Sequence, residues 1–584
     1  MTIGILNEIV AKSQTAKPDS SPATTLDDGF AKYGGPLVPI LNDRLVYDEP
    51  YTTVASPHQY RTWLAQVSNR QGFPSLPLTH LLQLECDNHM GRNTAAVDHA
   101  MKPFGVSGWG THGGYLITID SRAPVDLDRM TKAFEETVNR YGSFRTTLHW
   151  DDEKGKLFQT IYPSVDVHNT SIVDLSDEPN AYKVAYDMAS ANSVDPNFNL
   201  NELPLISFVI FVLGGGSYAF NITAHHIAID ETSLGIFLRD LLQLCTYGPG
   251  SLPPAQLHYS DFSDWLIRTA DRLAELRDKQ LEYWSKKLDG VQPLMLTLAT
   301  PSEVKQSSIG QINDQIDSLT LKRYNDYVAT TSATSFSAFF AAYNLLLYKH
   351  STQNSFVVGT TITQHSVAQL QEVVGFFTSV LPVRTTIEDE MTFTEYLEEF
   401  RCNLATDLSN DDVAFEDIIS HTKTSPQDRS YPKHLFSPGG LDVSVVNRLD
   451  TSSITVATAV SLLTGEEKYE LLLTAYSESG EVMLRFDTCS YTEGVARHFL
   501  DTYCDLIDTL GRDPHVKIGN VSVVSESERP HVAKELPASG PVNPGENKSH
   551  QFSEAWVKQT ASPDRPLTRC GRLLATAPPC SQVG

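Results

Sequence analysis

Residues 203–230, LPLISFVIFVLGGGSYAFNITAHHIAID, set two apolar runs on either side of a glycine cluster. Leu203 to Leu213 is almost entirely apolar, Gly214 to Ser217 can turn through positive backbone angles, and Tyr218 to Ala224 returns toward His225, which predicts a β-hairpin. Directly after it, Glu231 to Cys245 lines up Leu234, Phe237, Leu238, Leu241 and Leu242 on one side of a helix. A buried strand therefore ends, and a helix begins, at His225-His226-Ile227-Ala228-Ile229-Asp230. Such junctions expose side chains at a sheet edge, where a neutral imidazole can take a proton from an incoming nucleophile. Adjacent histidines on a strand point to opposite faces, which argues against a shared metal ion. Asp230 can reach back across the turn or pair with an arginine and so fix the loop. Two satisfied core histidines closing a strand are the alternative that these residues alone leave open.

Working outward, Tyr115 to Asp120 reads as a strand and Leu127 to Tyr141 as a helix. The second half is organised in a similar way, with helix Ser335 to Lys349, strand Ser355 to Thr361, helix Thr392 to Thr406, strands Tyr469 to Tyr476 and Val482 to Cys489, and helix Thr492 to Leu510. Strands and helices alternating in this manner predict mixed α/β (α+β) layers and not one parallel sheet. Hydrophobic residues at 41% and charged residues at 20% of 584 fit a folded chain of more than one domain. Seventy-one acidic against 45 basic residues give a formal charge of −26, which repels nucleic-acid phosphates and anionic lipid. The first twenty residues lack a basic start and a sustained apolar stretch, and no run reaches membrane-spanning length, so a cytoplasmic location is expected. The seven cysteines, Cys86, Cys245, Cys402, Cys489, Cys504, Cys570 and Cys580, form no metal-type spacing, and no metal is expected.

The histidine string and its surroundings resemble the H-H-x-x-x-D-G core of the condensation domains of nonribosomal peptide synthetases, of the fungal kind that builds peptide alkaloids. Further matches keep the family's order. Leu76-Pro77-Leu78-Thr79 with Leu82-Gln83 is similar to its opening motif, and Arg140 to Thr147 to its R-H-E-x-L-R-T segment. Tyr259-Ser260-Asp261-Phe262 with Trp265, and Tyr283-Trp284 with Leu288, resemble Y-x-D-[FY]-x-x-W and Y-W-x-x-x-L. Val374 to Arg384 resembles G-x-F-x-N-T-x-x-x-R, and Ala414 to Ile418 resembles P-F-E-x-[IL].

The resemblance implies a condensation domain over 76–525, with two chloramphenicol-acetyltransferase-like lobes, about 76–250 and about 255–525, meeting in a V. A tunnel between them would admit a phosphopantetheine arm from each side, carried by partner carrier proteins or synthetase subunits. His226, with His225 beside it, would be catalytic, as general base or as the group that positions the acceptor. Asp230 would be structural, paired with Arg140 or Arg145, and Gly375, Ser379 and Arg384 would belong to the tunnel motif. A solvated helix end is the bland alternative for the two arginines. The sequence departs from the family at Glu231, where glycine is usual, at Tyr141 and Gly142, and at Ser379 and Val380.

The flanks resemble broken neighbours. Residues 1–50 are similar to a peptidyl carrier's first helix and F-x-x-x-G-G-D-S motif, with Leu37 at the serine position, so no phosphopantetheine could be esterified there. A linker is expected over 526–550, and 551–584 resembles the start of an adenylation domain with an irregular tail. The expected function is amide or ester bond formation between carrier-tethered groups in secondary metabolism, by a monomer with no covalently bound cofactor. Two alternatives stand beside it: a truncated, inactive synthetase remnant, and a stand-alone acyltransferase of the same superfamily. The D-F-G-W-G latch of that branch does not occur in the sequence, nor does the G-x-S-x-G elbow of hydrolases. No motif encodes the donor, the acceptor or the stereochemistry.

Overall fold

In the computed structural model the hairpin forms as the sequence predicts. Ile206–Gly214 pairs antiparallel with Ser217–His225, and Gly214, Gly215 and Gly216 turn at φ of 84°, 61° and 87°, a region that residues with a Cβ avoid. At Gly216 a Cβ would also lie 2.7 Å from the Ser121 carbonyl oxygen.

The structure describes residues 49–56, 59, 60, 63, 112–121, 125–168, 170–194, 198–298, 309–363, 365, 368–422, 432–439, 454–462 and 469–522. Their elements, in chain order, are β1 (Tyr51–Val54), β2 (His112–Ser121), α1 (Leu127–Arg140), β3 (Thr146–Asp151), β4 (Lys156–Ile161), β5 (Thr170–Asp174), α2 (Ala181–Val194), β6 (Ile206–Gly214), β7 (Ser217–His225), α3 (Glu231–Tyr247) and α4 (Tyr259–Lys287). Then follow β8 (Ile309–Gln315), α5 (Ser318–Ala329), α6 (Ser335–Lys349), β9 (Ser355–Thr363), β10 (Thr378–Thr386), α7 (Phe393–Leu408), α8 (Phe415–His421), β11 (His434–Pro438), β12 (Ile454–Leu462), β13 (Leu471–Ala475), β14 (Glu481–Asp487) and α9 (Glu493–Arg512).

Two α/β lobes result, each with its own core. In the first, α1 and α3 cover the sheet ordered β12-β2-β7-β6-β5. The predicted inward face of α3 is buried, and Phe134, Phe208 and Phe237 interlock, the first two with ring centroids 4.3 Å apart. In the second, α6 is buried from Phe336 to Leu347 beside the six-stranded sheet β10-β9-β11-β13-β14-β8. Thr334 caps α6 through the Ser337 amide, which explains why that helix starts where its apolar run does. A small sheet, β1-β4-β3, packs beside α4. Both large sheets are mixed, since β5 runs parallel to β6 and β11 parallel to β9 and β13.

One strand breaks the division by sequence. β12, from the range expected for the second lobe, pairs antiparallel with β2 of the first, from Ile454 opposite Ser121 to Leu462 opposite Gly114. No described helix is long and apolar enough to cross a membrane, and among the described residues no group of three or more His, Cys, Asp or Glu could hold a metal ion. Residues 1–48 with Leu37, the segment at Leu76, and 523–584 lie outside the described residues.

Three histidines are packed where a charge is costly. Burial, aided by Arg145 and Arg140, holds His258 down to about 4; burial and Lys433 hold His434 down to about 3; burial and His498 hold His350 well below the ordinary value. Below pH 6.5 the unfolded chain therefore binds protons that the folded chain refuses. The stability in question is full above pH 6.5 and is lost as pH falls, down to about 4 for His258 and about 3 for His434. Urea denaturation should register about 1.4 kcal/mol per pH unit for each such histidine. In His258→Asn, which keeps an acceptor for the Gly142 amide, the slope between pH 6.5 and about 4 should flatten by that amount; an unaltered slope refutes the assignment.

Candidate active site

Where β7 ends, the backbone tightens: the Ala228 amide donates to the His225 carbonyl at 3.0 Å and the Ile229 amide to that of His226 at 3.3 Å. The strand's alternation sends the two rings apart. His225 is 1% exposed, its ring edge-on to Phe198, and its Nδ1 accepts the Ile227 amide at 3.1 Å, so its hydrogen sits on Nε2. His226 is half-buried and its Nδ1 lies 3.3 Å from the Ile229 carbonyl oxygen. A carbonyl can only accept, so His226 carries its hydrogen on Nδ1 and its lone pair on Nε2. The neighbours thus hold opposite tautomers, and only His226 combines exposure with a basic Nε2.

The pairing expected for Asp230 is corrected by the structure. Its carboxylate meets neither Arg140 nor Arg145. One oxygen accepts the Ser233 amide at 2.8 Å, capping α3, and the other accepts the Phe377 amide at 2.9 Å and the Thr378 hydroxyl at 3.1 Å. The Asp230 amide donates in turn to the Gly375 carbonyl at 3.0 Å. A buried carboxylate needs donors, and the Phe377 amide and Thr378 hydroxyl of the second lobe, with the Ser233 amide of α3, supply them in place of a guanidinium. The anchor of the histidine turn is therefore a clasp between lobes. Asp230→Asn would turn an NH2 group toward the Phe377 amide or forfeit the cap, and should lower the unfolding free energy by about 2 kcal/mol; a urea midpoint equal to the parent's would contradict the clasp.

Arg140 instead donates to Asp240 at 3.0 Å and to the Pro253 carbonyl, joining Arg239 and Tyr141 around one fully buried carboxylate. Arg145, 5% exposed, donates to the carbonyls of Tyr162 and Pro163. Neither is a solvated helix end. Arg384, grouped with the tunnel on sequence, sits six residues along β10 from Thr378, about 20 Å away. Its guanidinium holds the Lys287 and Asp289 carbonyls at the end of α4 and the Ser355 hydroxyl. Ser379 is half-buried, opposite Ile362 and next to the Thr378 that binds Asp230. Gly375 lies inside the clasp, where a Cβ would come within 2.1 Å of the Tyr259 ring.

Two members of this site carry no motif. The Ser233 hydroxyl donates to the Gly375 carbonyl at 2.9 Å and accepts the Gly375 amide at 3.1 Å. His365, fully buried, donates from Nε2 to the Val373 carbonyl at 3.0 Å, lies 3.4 Å from the same hydroxyl and packs edge-on to Phe377. This serine and histidine are not a nucleophilic pair, since the hydroxyl hydrogen is committed to Gly375 and Nε2 is a donor. The polar Ser233, two places after Glu231 and inside an apolar helix, was the available signal for a partner.

Glu231, the departure after the histidine motif, takes part in a cluster drawn from both lobes. Burial, followed by the charge of Glu231, pushes the Tyr115 phenol up, with Arg485 opposing and Tyr476 adding to the rise. The Tyr476 phenol is likewise raised by burial and then by Glu231.

Set against known proteins, residues 116–532 match the family model described as "Condensation domain". Tyrocidine synthase 3 of Brevibacillus parabrevis is 24% identical over 449 residues, which is 75% of this chain and 6% of that protein. The chain spans a tenth or less of the length of that relative and of others such as gramicidin S synthase 2 of Brevibacillus brevis. Two solved structures share the fold. The condensation domain from the Monacolin K polyketide synthase MokA superposes with a TM-score of 0.63 at 15% identity, covering 80% of this chain and 99% of that one. The first condensation domain of the calcium-dependent antibiotic synthetase gives 0.62 at 16%, covering 81% and 99%.

Proposed function

This chain belongs to the condensation-domain family of nonribosomal peptide synthetases, and we propose that it joins two groups presented on phosphopantetheine arms of partner carrier domains. The reaction is attack of an acceptor amine, or hydroxyl, on a donor thioester. A C–N or C–O bond forms, the C–S bond breaks, and the proton that leaves the nucleophile passes through the histidine to the departing thiolate. The observation carrying this reading is the tautomer of His226: a half-buried imidazole with its lone pair on Nε2 and its Nδ1–H directed to the Ile229 carbonyl. That carbonyl supports the imidazolium formed when Nε2 accepts a proton, or the Nε2–H that stabilises the tetrahedral intermediate. His225, buried and already an acceptor for Ile227, supports the turn and not the chemistry.

Asp230 and Ser233 hold the turn, and Gly375 lets the second lobe approach it. In this reading the protein needs no resident cofactor, works as a monomer in the cytoplasm, and meets its carriers at opposite faces of the lobe junction. The wider setting we propose is secondary metabolism, in a synthetase of the fungal peptide-alkaloid kind; motif order from Leu76 to Ser525 supports the condensation-domain part of this reading.

The test is reconstitution. Purified carrier proteins, one loaded with a panel of acyl or aminoacyl donors and one with amino acid acceptors, are mixed with the chain, and the elongated product on the acceptor carrier is read by intact-protein mass spectrometry. Product that depends on the chain supports the reading. Absence of product across the panel, with a second, known condensation domain active on the same carriers, overturns it in favour of an inactive remnant.

A further inference from the structure

We propose, resting on the reading of His226 as the reacting imidazole, that the segment carrying β1, Ser56, Gln59 and Trp63 is a working part of the condensation site, with Ser56 as a positioning residue: through the Tyr259 hydroxyl it holds the Phe376 carbonyl, and with it the clasp that sets the His226 turn.

This segment precedes both the family-matched residues 116–532 and the motif at Leu76, yet it is built into the fold. β1 pairs antiparallel with β4 from Tyr51 opposite Ile161 to Val54 opposite Phe158, and the Ala55 amide extends the contact to the Leu157 carbonyl at 2.9 Å. Both oxygens of the buried Asp264 carboxylate on α4 accept hydroxyls of β1, one from Tyr51 at 2.7 Å and the other from Thr53. Farther along, the Trp63 ring stacks on Trp150 of β3, with centroids 5.4 Å apart and planes at 13°.

Between these anchors the contacts are polar and buried. Ser56 and Gln59 make the reciprocal bonds of a capping box, the Ser56 amide donating to Gln59 Oε1 at 2.8 Å and the Gln59 amide to Ser56 Oγ at 3.1 Å. The Gln59 side-chain NH2 donates to Gln159 Oε1 at 3.1 Å, and that of Gln159 donates to Ser263 Oγ at 2.9 Å and to the Val54 carbonyl at 3.2 Å. Ser56, Gln59, Gln159 and Ser263 are each 2% exposed or less. Burying polar side chains is costly unless they are bonded, and a bonded network specifies one arrangement. The segment is therefore docked by design and does not merely rest on the surface.

The network ends at the clasp. Tyr259 donates its one hydroxyl hydrogen to the Phe376 carbonyl at 2.9 Å, so the Ser56 hydroxyl, 2.9 Å away, donates to the Tyr259 oxygen. The bonds thus run in one direction, from the Gln59 amide through Ser56 and Tyr259 to Phe376, and each polarises the next. Phe376 lies between Gly375, bound by Ser233, and Phe377, whose amide binds Asp230. The Gly375 carbonyl also accepts the Asp230 amide. What is set upstream of the family-matched region therefore reaches the turn that carries the reacting imidazole.

The test separates this path from general stability. Deuterium exchange of the full chain, without carriers, is read by mass spectrometry over residues 370–378 and over α6 in the second core. Ser56→Ala should raise exchange over 370–378 about fivefold and leave α6 at the parental rate. With loaded carriers its kcat should fall by a similar factor while the acceptor KM stays within about twofold. Ser56→Thr, which keeps the hydroxyl, should restore both. In a Tyr259→Phe chain, Ser56→Ala should add nothing over 370–378, because the path is already cut. Should Ser56→Ala not fold by circular dichroism, Tyr259→Phe is read in its place. Parental exchange over 370–378, or a rise shared equally by α6, overturns the proposal; raised exchange with a parental kcat overturns the positioning role. Since exchange is recorded without any reaction, failure of the parent to form product leaves the exchange result standing separately.

Discussion

His226→Ala should condense carrier-bound substrates about 10²–10⁴-fold more slowly than the parent, as expected for removal of a positioned acid-base group, while unfolding within about 0.5 kcal/mol of it. The rate loss corresponds to about 3–5 kcal/mol of barrier. The two halves of this expectation have separate structural causes. The ring is half-buried and its Nδ1 contact to the Ile229 carbonyl is long at 3.3 Å, so truncation removes little from the fold. The turn itself is held by the Ala228 and Ile229 amides and by the Asp230 clasp, none of which uses the His226 side chain. Single-turnover mixing of saturating loaded carriers isolates the chemical step from carrier docking. A rate within about threefold of the parent would remove His226 from the reaction.

Gly375→Ala should be the most damaging change of a single methyl group near the site, lowering the unfolding free energy by about 3 kcal/mol or more, at the upper end of overpacking effects. The added Cβ would sit 2.1, 2.6 and 2.9 Å from three atoms of Tyr259. That ring has no route of escape: it is 2% exposed, edge-on to Phe377 at 5.0 Å, and its hydroxyl donates to Phe376 and meets Ser56 at 2.9 Å. Either Tyr259 or the 375 backbone must move, and movement of the backbone breaks the bonds to Ser233 and Asp230. Urea denaturation followed by tryptophan fluorescence measures the loss, and Tyr259→Leu in the same chain should recover part of it by making room. A Gly375→Ala chain with parental stability would mean that the close approach is not obligatory.

Much of this architecture is legible in the sequence because it is local. The hairpin announces itself through two apolar runs about three glycines, the inward apolar residues predict α3, and Ser335–Lys349 is a helix with the predicted ends. What escapes is what the chain achieves at a distance. Asp230 invites pairing with an arginine because charges advertise themselves in a sequence, whereas the Phe377 amide that binds it, 147 residues away, looks like any other. The true partner of Arg140 has a signal: Asp240 lies among the apolar residues of α3, and an acid on a buried face demands a counter-ion. Arg384 ends a family motif and groups with its other members on paper, but a strand carries its residues apart at about 3.3 Å each. His365 sits in no pattern at all, and its role follows from packing alone.

The loan of β12 to the sheet of the first lobe bears on how such units can be exchanged during evolution or in the laboratory. A gene fragment ending before residue 454 would encode a β2 whose outer edge, from Gly114 to Ser121, is bare, and bare edges recruit other chains into aggregates. Recombination between the lobes therefore breaks a shared sheet. Crossover points that keep this sheet intact belong outside the pair of lobes.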